Sequence, residues 1–167
     1  LQYPWPDGAL GVRSWTLSFW VKTSDTDYTV NTGRRIMAPV SGTNLADGFQ
    51  LMRESAGGDT YTPHADNASG AIMLNPRGTL AGYLCSTRAV DVADNVWHYI
   101  VFQHEGGGVY SSFCDGVLME RRTAAAPVNF GDNGGFFLGK RQDGSANAYF
   151  TGTIDNLVLN IDEVRSL

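Results

Sequence analysis

Apolar residues recur at every second position in short runs, and the clearest run lies near the start of the chain. In Ser14 to Lys22 (SWTLSFWVK), Trp15, Leu17, Phe19 and Val21 alternate with Ser14, Thr16, Ser18 and Lys22. That is the period of a strand with one buried face and one wet face. Trp20 adds an aromatic to the polar side, where it would pack under a loop or stay exposed. Gly48 to Glu54 alternates in the same way, with Phe49 and Leu51 on one side, and Arg35 to Val40 reads as a shorter strand ended around Pro39. Ala71 to Leu74 and Thr79 to Val90 supply two further strands around the turn residues Asn75-Pro76-Arg77-Gly78.

Trp97 to Gly116 carries the strongest hairpin signal. Trp97 to Phe102 is aromatic and β-branched, too short for an ordinary helix, and the run ends after His104 at Glu105-Gly106-Gly107-Gly108. Val109 to Cys114 is the return strand. Asp115-Gly116, a dipeptide suited to the positive φ of a tight turn, then leads into a third strand beginning at Val117-Leu118-Met119. Phe136 to Gly139 follows the turn Asp132 to Gly135, and Phe150 to Asn160 is the closing strand. Pro4 and Pro6 make Leu1 to Gly8 an edge-like segment, since proline donates nothing to a ladder. Together these elements predict an all-β antiparallel sandwich with no amphipathic helix and no internal repeat. The longest irregular stretch, Ser55 to Gly70, is of the length at which loops tend to be functional.

With 167 residues and 20 glycines, the chain suffices for one domain with a full core, burying roughly 70% of its unfolded surface. The net charge is -5, and the 12 basic residues are scattered singly or in pairs such as Arg34-Arg35 and Arg121-Arg122. That distribution argues against a nucleic-acid reader, which concentrates its positive charge in a stripe. No apolar run approaches the ~18 to 20 residues that span a bilayer, and Leu1 to Gly8 carries no basic leader region. A soluble module, cut from a longer protein, is the expectation.

Three phrases carry a family likeness. The first is WTLSFWVKTSD, Trp15 to Asp25; the second is Trp97-His98 followed by Phe113-Cys114-Asp115-Gly116, where many relatives have Tyr-Val-Asp-Gly. The third is FTGTIDNLVLN, Phe150 to Asn160, similar to the F-x-G-x-I-D-E-V-R-I-Y ending of laminin G-like domains. The chain thus resembles the laminin G-like or pentraxin-like jelly roll of the concanavalin A-like superfamily. The resemblance implies one such domain over residues 1–167, belonging to a larger extracellular or surface-displayed protein (cell or virion). It also implies a non-catalytic carbohydrate-binding role, with a glycan or an extracellular protein as partner.

Catalysis finds no support in the residues. Retaining glycosidases hold two carboxylates about 5 Å apart, and the laminarinase relatives carry them as Glu-x-Asp-x-x-Glu. Here Glu54, Glu105, Glu120 and Glu163 are far apart, and His64, His98 and His104 follow no nucleophile-elbow pattern. Calcium is the cofactor to consider. Leu138 to Asp143 resembles the pentraxin phrase Leu-Gly-x-Glu-Gln-Asp; Gln142 and Asp143 match, but Arg141 replaces the ligand Glu. A pentraxin-type double site is therefore not expected, and a single ion held by Asp47, Gln142 and Asp143 is the remaining candidate; ordinary turn aspartates are the alternative.

Sugar binding needs an aromatic face and planar polar groups. The loops offer Arg34; Tyr61 with His64, Asp66 and Asn67; and Gln142, Asn147 and Tyr149, although solvated loops with rim aromatics would look the same. Asn67-Ala68-Ser69 is also a glycosylation sequon. Cys85 and Cys114 are the two cysteines. Pairing would close a loop of about 30 residues, worth about 3 to 4 kcal/mol in the chain-entropy model, and two buried thiols are the alternative. The extracellular habit of the resembled family favours the disulfide. Neither cysteine has a Cys or His at a short metal-site spacing, so no zinc site is expected. The hairpin from Trp97 to Gly116 is read as scaffold, with function in the loops; a protein-interaction or structural module without a sugar site is the rival reading.

Overall fold

The computed structural model describes residues 2–3, 13–25, 35–39, 48–53, 70–77, 85–87, 90–123, 136–139 and 149–162. They form strands β1 (Gln2–Tyr3), β2 (Trp15–Lys22), β3 (Arg35–Pro39), β4 (Gly48–Arg53), β5 (Ile72–Arg77), β6 (Cys85–Ser86), β7 (His98–His104), β8 (Val109–Cys114), β9 (Val117–Thr123), β10 (Phe136–Leu138) and β11 (Thr153–Ile161). Two antiparallel sheets result, one in the order β1-β10-β3-β4-β5-β6 and the other β11-β2-β7-β8-β9. No helix occurs among the described residues. The predicted all-β antiparallel sandwich is what forms.

Alternation along each strand decides which face is buried. Trp15, Leu17, Phe19 and Val21 of β2, Ile100 and Phe102 of β7 and Tyr110 and Cys114 of β8 meet Ile36, Met37, Ile72, Leu74, Cys85 and Phe136 of the other sheet in one core. Burying each of the larger aliphatic or aromatic side chains stabilises the fold by about 1.5 to 3 kcal/mol. The β8 to β9 turn takes the expected shape, with Asp115 at φ 51 and Gly116 at φ 81.

Two departures from the sequence reading have local causes. The predicted turn at Asn75 to Gly78 is corrected: β5 continues to Arg77, with Pro76 opposite Phe49 of β4. Among the described residues β6 pairs with Met73 and Leu74 alone, and there Pro76, whose missing N–H suits an edge position, has no partner on that side. In β11 the inward residues Ile154, Leu157, Leu159 and Ile161 slip phase after Ile154. A bulge between Asp155 and Val158 absorbs the extra residue, with Asn156 at φ 48, so that these four side chains keep their places against the core while Val158 faces out.

The two lateral edges of the sandwich differ. At one, β6 is tied across to the other sheet: the Ser86 N–H donates to Glu120 Oε2 at 2.9 Å, and the Ser112 hydroxyl donates to the Ser86 carbonyl at 2.5 Å. Toward the other, where β1 flanks β10, a cleft lies between β10 and β11.

Candidate functional site

Of the ligand-binding residues nominated from the sequence, Tyr149 alone falls among the described residues. It is exposed, and its backbone bridges to Arg35. Arg34, Tyr61, His64, Asp66, Asn67, Gln142 and Asn147 lie outside the described residues, as do the calcium candidates Asp47 and Asp143. The expected disulfide is not formed: Cys85 and Cys114 are both buried free thiols. Each is occupied by different neighbours. Cys85 neighbours Ser112 and Glu120, and burial, with the Glu120 charge, pushes its pKa well up. Cys114 lies beside His98 and Asp115, and burial with the Asp115 carboxylate pushes it up to about 12.

The outward face of the five-stranded sheet holds an aromatic platform. Strand pairing sets Trp20 beside Tyr99 on one side and Asp155 on the other. The two rings are 5.2 Å apart and tilted by 40°. By alternation Trp97, two residues before Tyr99, falls on the same face, next to the exposed end of the sheet. Trp20 is 38% and Trp97 40% exposed. Farther along the same face Thr16, Ser18, Val101, Gln103 and Ser111 are buried, so the platform is where that face opens to solvent. The bulge in β11 leaves Asp155 and Asn156 exposed at its rim, with the Asn156 N–H bonded to Asp155 Oδ1 at 2.8 Å.

Asp155 and Asn156 also border the cleft between β10 and β11, a space of about 760 Å³ lined chiefly by Phe136, Leu138, Phe150 and the inward apolar residues of β11. Gly152, on its wall, is required by contact: a Cβ there would lie 2.5 Å from the Lys22 carbonyl oxygen. This close approach lets the Thr23 hydroxyl donate to the Thr151 carbonyl at 2.6 Å, fixing the segment that leads into β11. The platform and the cleft are thus two surfaces meeting at one pair of polar residues. Sequence reading flagged Trp20 but nominated neither it nor Tyr99. The available signal was an aromatic on a polar face; its partner, contributed by a distant strand, had none.

A laminin G family profile of the concanavalin A-like lectin/glucanases superfamily matches residues 2–160. The chain belongs to the concanavalin A-like lectin/glucanases superfamily. Among solved structures, it is similar to the CBM40 of the Ruminococcus gnavus IT-sialidase, with a TM-score of 0.64 and 17% identity over 99% of this chain and 91% of that one. It is also similar to domains LG4-5 of the mouse laminin alpha1 chain (TM-score 0.57, 15% identity, 95% of this chain and 38% of that one). A heptameric SAP-like pentraxin from Limulus polyphemus matches with a TM-score of 0.57 and 15% identity over 89% of this chain and 64% of that one. Among curated proteins none matches by sequence. At these identities the superfamily neighbours establish the jelly-roll fold, and carbohydrate-binding modules are among the proteins that share it.

Proposed function

We propose that the chain is a non-catalytic carbohydrate-binding module of a larger extracellular or surface protein. The observation that carries this reading is the exposed Trp20 with the half-buried Tyr99 beside it on the outward sheet face, rimmed by Asp155 and Asn156. An aromatic face covers the apolar C–H surface of a pyranose, while planar carboxylate and amide groups read its hydroxyls. The related CBM40, solved bound to alpha2,3 sialyllactose, supports a sugar ligand by analogy of fold alone. The non-catalytic part is supported by the commitment of two glutamates to structure: Glu105 binds Ser111 and Arg121, and Glu120 binds Ser86. Calcium held by Asp47, Gln142 and Asp143 belongs to the proposal as an aid to binding.

A second reading, docking of a protein partner, is favoured by Val96, Trp97, Val117 and Leu118, apolar residues exposed at the start of β7 and the start of β9. A glycan array run with calcium and again after chelation separates the two. Binding that is lost on Trp20→Ala, with a drop of about 30-fold or more as for a truncated aromatic anchor, supports the sugar reading. Silence in both conditions from a folded protein would sink it, and loss on chelation alone would assign calcium its part.

A further inference from the structure

The hairpin read from sequence as scaffold contains a cross-strand cluster of three different ligand-type side chains. His98 opens β7, and Cys114 and Asp115 end β8 and begin the turn. His98 Nδ1 lies 2.8 Å from Asp115 Oδ2 and 4.0 Å from Cys114 Sγ, and Sγ lies 3.7 Å from the same carboxylate oxygen. These atoms form the one such group of three found among the described residues. We propose that His98 Nδ1, Cys114 Sγ and Asp115 Oδ2 bind a zinc ion, with water in the fourth position.

Three features of the geometry argue for it. The first is spacing. Tetrahedral zinc, with bonds of about 2.0 Å to nitrogen and oxygen and about 2.3 Å to sulfur, separates neighbouring ligand atoms by about 3.3 to 3.5 Å. The observed triangle reaches that by shifts of about half an ångström per edge, within the reach of side-chain torsions.

The second is orientation from outside the triangle. The other ring nitrogen of His98, Nε2, faces Asp94 Oδ1 at 3.2 Å, and Asp94 is itself held by the Val96 N–H at 2.8 Å. That carboxylate holds the proton on Nε2 once Nδ1 gives up the one it shares with Asp115, so that the Nδ1 lone pair can turn to the metal, the support that zinc-binding histidines usually have. Asp115 is divided likewise. Its Oδ1 accepts the Tyr99 N–H at 2.8 Å, which leaves Oδ2 directed at His98 and Cys114.

The third is access combined with ligand type. The Asp115 side chain is about half exposed, whereas that of His98 is largely covered and Cys114 is buried. The site therefore has one open side, where water completes the coordination and from which the ion enters. A thiolate and an imidazole suit zinc rather than calcium, which takes oxygen ligands. Binding displaces the Cys114 thiol proton, and any proton held at Nδ1, to solvent, and involves no change of oxidation state.

This site does not depend on sugar binding. The test uses the reduced, metal-stripped wild-type chain titrated with zinc against a chromophoric chelator, and with cobalt(II) as the spectroscopic probe. One equivalent of metal and a thiolate-to-cobalt charge-transfer band are expected. Cys114→Ser should abolish the band, and His98→Gln should weaken zinc by at least about tenfold. Asp94→Asn, outside the first ring of ligands, should weaken it about 10- to 100-fold. Cys85→Ser, whose thiol lies elsewhere in the core, should leave both readouts unchanged. Failure of the folded wild type to bind stoichiometric zinc at micromolar concentration overturns the proposal. So does a cobalt band that survives Cys114→Ser or disappears with Cys85→Ser. Because Asp94→Asn alters no core contact, it keeps the test informative if a ligand variant misfolds.

Discussion

Strand β7 has a histidine at each end, and their surroundings differ in almost every respect. His98 faces two carboxylates. Burial lowers its pKa, but the hydrogen bonds and charges of Asp115 and Asp94 outweigh that and raise it overall. His104 is 1% exposed, stacks on Tyr110 with centroids 4.6 Å apart, and lies 6.0 Å from the Trp15 ring. Burial pushes its pKa down, against a smaller opposing effect from its bond to the Arg13 carbonyl at 2.8 Å. Position on the strand does not distinguish them, since they are the first and last of its 7 residues and alternation puts both on the same face. The difference comes from what the neighbouring elements bring: turn aspartates at one end, core aromatics at the other. The first environment stabilises a cation or a metal, and the second a neutral ring.

The largest expected effect lies at the His104 end. Trp15→Ala removes the ring that touches both His104 and Tyr110 and should cost about 3 to 5 kcal/mol, read as a lower denaturant midpoint; a loss under about 1 kcal/mol would mean that this aromatic cluster is not the packed end of the core. Next comes the backbone tie at the opposite end. Thr23 accepts the Asn95 N–H at 2.9 Å while its hydroxyl reaches Thr151. Gly152→Ala, forced against the Lys22 carbonyl, should cost about 1 to 3 kcal/mol and loosen the approach to His98, visible as faster amide exchange at Asn95.

The pH effect should be smaller and has a definite sign. His104 has a folded pKa below its unfolded value of about 6.5, so the unfolded chain binds more protons as pH falls. Its contribution to stability is present above about pH 6.5 and is lost as pH drops toward the folded pKa. Imidazole NMR should find His104 titrating below a free histidine, and a value at or above the free one would remove the contrast. The smallest change is expected from Tyr110→Phe. The Tyr110 hydroxyl and His104 Nε2 have no hydrogen-bond partner among the described residues, so deleting that hydroxyl should alter stability by less than about 1 kcal/mol. A larger loss would reveal a partner for it.

Much of the fold was legible because its causes are local. Trp15 to Lys22 alternates cleanly, and Asp115-Gly116 announces its turn. The phase slip at Asn156 could also have been read, since Ile154 and Leu157 cannot both face inward on a regular strand. Pro76 misled because a turn signal and an edge-strand residue look alike in one sequence. The sites were less legible because pairing across strands creates them. Nothing near Trp20 in sequence points to Tyr99 or Asp155, and short-range spacing does not reveal that His98 and Cys114 meet, because they do so only through the ladder. Cys114 was assigned to Cys85 by family habit, whereas the fold gives it an imidazole and a carboxylate.

The pairing of β11 with β2 also bears on how the chain assembles. Thr23 and Thr151 bond across 128 positions, so β2, although made early, has no partner on one flank until almost the whole described chain has left the ribosome. Topologies dominated by such distant contacts fold slowly. During that interval the apolar side of the sheet is open to other chains, and a nascent molecule stalled before Phe150 would be a sticky, unfinished sandwich.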